Sequence, residues 1–226
     1  MNYRNIIDNY GKQIQKSPLF AGMTGEETVK AMEILHAGYT EYGKGEVLHR
    51  PYTGMKKFGL VLYGGVCACM DDVEGNRMIM AEVTPGITFG ESLCFMEIKD
   101  SPVYVYAAEN AGVVWLSTED LFCGDSDDFS VRLQKKFTAM LAQRTFVMNN
   151  RIQILSKLRL RDKLITYFTQ LSEAAHSYTF EIPMNRDDLA VYIGTNRSAL
   201  SRELARMKDD GIIDYYRNSV RILSDR

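Results

Sequence analysis

The sequence lacks the features that mark membrane-spanning proteins, exported proteins and several common enzyme classes. It has no run of about 18 apolar residues, which excludes a helical membrane span, and residues 1–20 contain no apolar core of signal-peptide length. We therefore expect a cytoplasmic protein. The Walker A, GxSxG and HExxH patterns are also absent, so the sequence predicts no catalytic residues.

Histidine and cysteine are scarce, with three and four residues in a chain of 226. Cys67 and Cys69 share an apolar run, "LVLYGGVCACM", at a spacing that puts both on one face of a strand, whereas Cys94 and Cys123 are isolated. Metal sites usually contain CxxC pairs or Cys/His clusters, and no histidine lies nearby, so no metal ligands are predicted. We interpret the cysteines as reduced packing residues; redox sensing and metal or haem ligation are the alternatives.

Charge is unevenly distributed along a chain whose net charge is only −2. Residues 1–131 carry 10 basic and 19 acidic residues, a net −9, whereas residues 132–167 carry 9 basic and 1 acidic, a net +8. This asymmetry indicates two domains with different partners.

The region from Tyr39 to about Ser117 has the sequence pattern of an antiparallel β domain. From Tyr39 to about Ser117, short runs of β-forming residues alternate with glycine-containing turns, and Gly75-Asn76 predicts a hairpin between two of them. Before this region, Thr24 and Glu27 have the spacing of a helix capping box. The pattern predicts short helices followed by an antiparallel barrel or sandwich.

A long helix is predicted to begin near Asp127, because some 30 residues follow without glycine or proline. Its apolar residues follow a spacing of four and three residues along one narrow stripe, which we call the seam. The seam consists of Leu141, Thr145, Met148, Ile152 and Leu155. A two-stranded coiled coil in a homodimer explains this stripe best, and a helix packed on the β domain is the alternative.

The C-terminal region predicts a winged helix-turn-helix. A short helix is followed by a turn at Gly194-Thr195, a second helix, and a hairpin that turns at Asn218-Ser219. Both helices have an apolar inner face. The residues of these faces are Leu189, Ala190, Ile193, Leu200, Leu204 and Met207.

The second helix carries the residues that we predict to contact DNA. Asn196 is placed as its N-cap, and the free amides at such a helix start favour a phosphate. Arg197 and Arg202 lie opposite the apolar face, and an arginine fork matches the O6 and N7 acceptors of guanine. The predicted DNA-binding residues are Thr195, Asn196, Arg197, Ser198, Ser201 and Arg202.

The segment "MNRDDLAVYIGTNRSALSRELARMKDDGIIDYY" resembles the helix-turn-helix of the Crp/Fnr transcription regulators. "LVLYGGV" and "TPGITFGESLCF" resemble parts of that family's cyclic-nucleotide-binding β-roll. The resemblance implies an α+β fold with a jelly-roll (cupin-like) sensor domain at 1–126, a dimerisation helix at 127–157 and a winged helix-turn-helix at 158–226. It also implies a homodimer, a double-stranded DNA operator with inverted repeats, and contact with RNA polymerase.

The resemblance also implies the position of an effector pocket. Gly90 matches a glycine of the family's cyclic-nucleotide-binding cassette, which we call the cassette glycine, and Glu91 matches a glutamate that binds the ribose. The alternative for Glu91 is a structural role in the β-roll. Cyclic-AMP-binding members carry an arginine and a serine eleven and twelve residues after that glycine, where this chain has Ser101 and Pro102. The resemblance implies a pocket that includes Gly90, Glu91, Ser101, Pro102, Met148 and Asn149. Its wall also includes either Tyr104 and Tyr106 or their neighbours, depending on which alternate residues of the strand face inward.

A cyclic phosphate without its arginine loses charge-assisted hydrogen bonds, so we expect a small-molecule effector other than cyclic AMP. No cofactor is predicted. The leading hypothesis is thus a homodimeric, effector-responsive transcription regulator. The alternatives are an effector-independent regulator of the same fold, a haem- or redox-sensing regulator, and an enzyme with a β-roll core.

Overall fold

The computed structural model describes residues 3–122 and 127–223 and divides the chain into two compact units, 1–142 and 143–226. Cys123 and the predicted domain boundary after residue 126 lie outside the described residues. Among the helices that are described, none is long and apolar enough to cross a membrane.

The first unit opens with two helices, α1 (Tyr3–Lys16) and α2 (Gly25–Ile34). The predicted capping box is confirmed at the start of α2, where the Thr24 hydroxyl accepts a hydrogen bond from the Glu27 amide and the Glu27 carboxylate accepts one from the Thr24 amide. These hydrogen bonds, with Arg132, lower the pKa of Glu27.

Eight strands and one short helix complete the β part of the first unit. They are β1 (Gly38–Tyr42), β2 (Val47–His49), β3 (Phe58–Tyr63), β4 (Val66–Asp71), β5 (Arg77–Val83), β6 (Thr88–Phe89), α3 (Glu91–Phe95), β7 (Tyr104–Ala107) and β8 (Ala111–Leu116).

The strands form two four-stranded antiparallel sheets, with strand orders β1-β8-β3-β6 and β2-β7-β4-β5. The predicted hairpin is confirmed between β4 and β5, where Gly75 adopts a positive φ of 81° and the Asp72 amide donates to the Asn76 carbonyl. The α+β class with antiparallel strands is therefore as the sequence predicted.

The core of the first unit includes β3 and β8, whose residues are almost all buried. It also includes the beginning of the long helix α4 (Asp128–Leu155). Phe129, Leu133, Phe137 and Met140 of α4 are buried in this core. The beginning of α4 is therefore an integral part of the β-roll unit.

The second unit contains the rest of α4 and six further elements. They are α5 (Leu160–Ala175), β9 (Thr179–Glu181), α6 (Arg186–Ile193), α7 (Arg197–Asp209), β10 (Ile213–Tyr216) and β11 (Ser219–Ile222). The strands form one antiparallel sheet in the order β10-β11-β9, so the predicted winged helix-turn-helix is confirmed.

One local prediction in this unit is wrong by one residue. The hairpin between β10 and β11 turns at Arg217-Asn218, because Tyr216 pairs with Ser219. Burial of Ile213 and Val220 fixes this register, and Arg217 rather than Asn218 adopts the positive φ, at 52°.

Candidate nucleic-acid interface

The turn between α6 and α7 is built from local signals in the sequence. Gly194 ends α6 in the left-handed conformation with a φ of 73°, which glycine adopts without steric cost. Asn196 then caps α7, since its side-chain oxygen accepts a hydrogen bond of 2.9 Å from the Ala199 amide. The Thr195 amide donates to the Ala190 carbonyl, so this turn leaves little freedom in the direction of α7.

The two faces of α7 are sharply different. Leu200, Leu204 and Met207 are fully buried in the core of the second unit. The predicted DNA-contacting side chains of Arg197, Ser198, Ser201 and Arg202 are all exposed. The structure therefore brings the predicted residues together on one solvent-facing stripe near the N-terminus of the helix.

Two of these residues already have partners within the chain. An Arg197 Nη1 donates to an oxygen of Asp187 on α6 at 2.9 Å, in an ion pair whose side chains are 67% and 63% exposed. The Ser198 hydroxyl donates to the Asn196 side-chain oxygen at 2.7 Å. Both contacts hold the N-terminal end of the stripe in a defined geometry.

The β10–β11 hairpin, which we call the wing, is tied to the start of α6. An Nη2 of Arg186 donates to the Arg217 carbonyl at the wing turn, and the guanidinium lies 5.4 Å from the centre of the Tyr215 ring. Burial lowers the pKa of Arg186. This contact sets the position of the wing turn relative to α6.

Ion pairs anchor α7 to its neighbours at sites away from the exposed stripe. Arg161 of α5 donates to Glu203 at 2.7 Å and pairs with Asp210 at 2.6 Å, which raises the pKa of Arg161. Lys208 pairs with Asp214 of the wing at 2.6 Å and lowers the pKa of that carboxyl. The exposed stripe thus projects from a helix that is held by both apolar and charged contacts.

Comparison with known proteins agrees with this geometry. Residues 162–225 match the Crp-like helix-turn-helix domain. The second unit therefore contains a Crp-like helix-turn-helix domain. A probable transcriptional regulator of Lacticaseibacillus casei, flp, is 25% identical to it, with 92% of both chains covered.

Two further similarities extend over most of this chain. The cAMP-activated global transcriptional regulator CRP of Escherichia coli is 22% identical, covering 74% of this chain and 80% of CRP. The solved structure of the catabolite activator protein of Thermus thermophilus has a TM-score of 0.51 and 23% identity, covering 91% and 93% of the two chains. At this identity the structural likeness establishes the fold.

In the β-roll, the predicted cassette glycine has a clear structural reason. Gly90 has a φ of 81°, a left-handed conformation that favours glycine, and a Cβ at this position would lie 2.2 Å from the Met55 sulfur and would displace that side chain. Glu91, which begins α3, is buried, with 1% of its surface exposed.

The two positions that would hold a cyclic phosphate are part of a folded turn. The Ser101 hydroxyl accepts a hydrogen bond from the Val103 amide, and the Ser101 carbonyl accepts one from the Tyr52 amide. Ser101 is buried, and Pro102 has no N–H to donate.

The structure turns the neighbours of Tyr104, rather than Tyr104 itself, toward the core of the roll. Val105 is buried there, whereas Tyr104 lies on the opposite face of β7. Its hydroxyl donates to Asp71 at 2.8 Å and accepts from Arg77 at 3.1 Å, and the Arg77 guanidinium lies 4.6 Å from the centre of the Tyr106 ring. Tyr104 and Tyr106 therefore take part in an outer cluster with Arg77.

The other predicted pocket residues, Met148 and Asn149, are exposed on α4 in the second unit. Within the seam, Leu141 is partly buried while Met148 and Ile152 are 64% and 59% exposed. Ile154, outside the seam, is buried in the core of the second unit.

The cysteines and histidines form no metal-binding group among the described residues, where no cluster of three or more His, Cys, Asp or Glu side chains has suitable geometry. Cys67, Cys69 and Cys94 are buried. Burial raises the pKa of Cys69 and Cys94.

Sequence reasoning missed two residues of the candidate interface, Arg186 and Asp187. They lie in the first turn of α6, and their partners Arg217 and Arg197 lie on other elements. No periodicity or short motif connects residues that meet only through the tertiary fold, so the sequence offered no signal for either contact.

Proposed function

We propose that this chain is a homodimeric, sequence-specific DNA-binding regulator of transcription whose DNA binding is controlled by a small-molecule effector. The observation that carries the proposal is the exposed stripe on α7, which contains two arginines on a helix fixed by three buried residues and an N-cap. A helix presented in this way, with a wing beside it, suits insertion into the major groove of B-DNA.

Specific recognition is assigned to Arg197 and Arg202, and the test uses Arg202. Arg202→Ala should weaken binding to the preferred site by about 1–3 kcal/mol and relax the choice of base at one position per half-site. Arg206→Ala is the matched control, since Arg206 is an exposed arginine one turn further along the same helix. It should leave the base preference unchanged.

Affinities would be measured by fluorescence anisotropy across a panel of single-base operator variants at fixed salt. An identical base preference for Arg202→Ala and wild type would contradict the assignment. Equal losses of preference in both variants would mean that net charge, rather than a base contact, is responsible.

Dimerisation is proposed through the seam on α4. Met148 and Ile152 are large apolar side chains that remain mostly exposed within one chain, which is the pattern expected of a surface that a partner covers. A two-fold dimer would place two recognition helices at inverted half-sites about 34 Å apart.

The effector is proposed to differ from cyclic AMP, although the E. coli relative is described as cAMP-activated. Ser101 provides no cation, its hydroxyl is already engaged with the Val103 amide, and Pro102 provides no donor. An apolar or aromatic effector with few polar groups fits a site in the β-roll better. It would control DNA binding only through different affinities for two conformations.

Calorimetric titration with cyclic AMP tests this part of the proposal. The unmodified protein should show no binding in the micromolar range. Binding that appears only after the double substitution Ser101→Arg and Pro102→Ser would support both the position of the site and the reason for its failure to bind cyclic AMP. Micromolar binding by the unmodified protein would overturn it.

Among the alternatives, redox control through Cys67, Cys69 or Cys94 is disfavoured, because burial keeps these thiols from water and raises the pKa of two of them. An effector-independent regulator would bind its operator with the same affinity whether purified from its own host or refolded without small molecules. A catalytic role has no support in the site, and contact with RNA polymerase stays a prediction that follows from the resemblance to Crp/Fnr regulators.

A further inference from the structure

The ion pair between Asp187 and Arg197 joins the two helices of the helix-turn-helix at the surface proposed to face DNA. Asp187 lies in the first turn of α6, where the helix dipole stabilises its negative charge. Its carboxylate accepts from Nη1 of Arg197 at 2.9 Å, and both side chains are exposed. An exposed pair of this kind contributes little to folding stability, so its position is better explained by the function of the arginine.

We propose that Asp187 is a specificity-determining residue that positions the Arg197 guanidinium for one base pair and penalises binding to other DNA. This inference rests on the proposed function, since it assigns a partner to a residue already proposed to contact bases. The inference adds Asp187 of α6 to the residues that determine which base pair is bound.

The positioning effect follows from the geometry of the guanidinium. A carboxylate on Nη1 leaves Nε–H and the hydrogens of Nη2 available, and these can form a fork to the O6 and N7 atoms of guanine. Without the carboxylate, the long Arg197 side chain would sample several rotamers and could neutralise a phosphate instead. The pair therefore favours a base contact over a backbone contact.

The penalty follows from charge. Asp187 places a negative charge on a surface that must approach the phosphate backbone, which disfavours non-specific binding. This repulsion alone weakens specific and non-specific binding alike. It adds to discrimination because the same carboxylate holds Arg197 away from the phosphates, and that restraint costs most at a random sequence, where no base contact forms.

The test compares Asp187→Asn with wild type on DNA selected from a random pool by the wild-type protein. First, Arg197→Ala identifies the base pair whose preference depends on that arginine. A good fork provides a base preference of roughly fivefold to hundredfold. Asp187→Asn should reduce the preference at this base pair by about threefold or more. The affinity for non-specific DNA should rise. If Arg197 gains a phosphate contact, the slope of the logarithm of the binding constant against the logarithm of salt concentration should become steeper by about 0.9.

Two controls separate positioning from general charge and from folding. Asp209→Asn removes one negative charge at the other end of α7 and should leave the base preference unchanged. Asp187→Glu keeps the charge and should recover part of the preference. In the Arg197→Ala background, Asp187→Asn should no longer alter base preference at that position.

The outcomes distinguish this inference from the proposed function. If Asp187→Asn leaves the Arg197-dependent preference intact, or Asp209→Asn reduces it equally, the positioning role is wrong while specific DNA binding stands. If Arg197→Ala changes no base preference, Asp187 has nothing to position and the inference is overturned, although Arg202 can still provide specificity. If the wild type selects no sequence at all, both the proposed function and this inference are wrong.

Discussion

Replacing Met148 by lysine should convert a dimer into a monomer without unfolding either unit. Met148 is 64% exposed within one chain and lies at the centre of the seam on α4. A two-fold dimer would bring both copies of this side chain into the interface. The substitution therefore removes two apolar contacts and introduces two ammonium groups close to the symmetry axis.

The size of the effect can be worked from the exposed fraction. Complete burial of a methionine side chain contributes about 1.5–3 kcal/mol, so the exposed part of Met148 accounts for roughly 1–2 kcal/mol in each chain. Two copies give about 2–4 kcal/mol, which corresponds to a dissociation constant raised about 30-fold to 1,000-fold. Repulsion between the two ammonium groups adds to this loss.

Sedimentation velocity over a concentration series measures the change directly. Phe146→Lys is the matched control, because Phe146 is 66% exposed on the same helix but lies outside the seam, and this variant should remain dimeric. Circular dichroism would confirm that both variants keep their helix content. A wild-type monomer at micromolar concentration would contradict dimerisation through the seam, and loss of the dimer in Phe146→Lys alone would place the interface on another face of α4.

Three further substitutions test how the fold supports the site. Asn196→Ala should cost about 1 kcal/mol in urea unfolding, because α7 loses its N-cap, whereas Asn196→Asp should cost much less. Gly59→Ala should lower the free energy of unfolding by about 1–3 kcal/mol, because a Cβ would lie 2.2 Å from the Phe89 ring. Unchanged stability would mean that β6 can move aside. Tyr167→Phe should change stability at pH 7 by less than about 1 kcal/mol, because the hydroxyl has no hydrogen-bond partner among the described residues. Burial raises the pKa of Tyr167 to about 12, so the wild type should lose stability as the pH rises from 10 toward 12, and the variant should lose less over the same interval in urea titrations.

Elements with local signals could be predicted from the sequence. The capping box of α2 and the N-cap of α7 each depend on residues only three positions apart, and both are present. Gly194 marked the end of α6 because the required left-handed conformation favours glycine.

Features that depend on tertiary packing could not be predicted. In "YVYA" of β7 every residue is apolar enough to face a core, so alternation alone did not show that Val105, rather than Tyr104, would be buried. The wing turn was placed one residue too late because asparagine is a common turn residue, while burial of Val220 decided the register. The Asp187–Arg197 pair joins two helices and has no sequence signature.

We expect this chain to recognise a specific inverted repeat as a dimer. Selection of binding sequences from a pool of random double-stranded DNA, followed by sequencing, tests it most directly. We predict enrichment of two inverted half-sites whose centres lie about one helical turn, or 34 Å, apart, and loss of one preferred base pair per half-site when the selection is repeated with Arg202→Ala. A pool that shows no enriched sequence, or a single half-site with the same preference in both proteins, would contradict it.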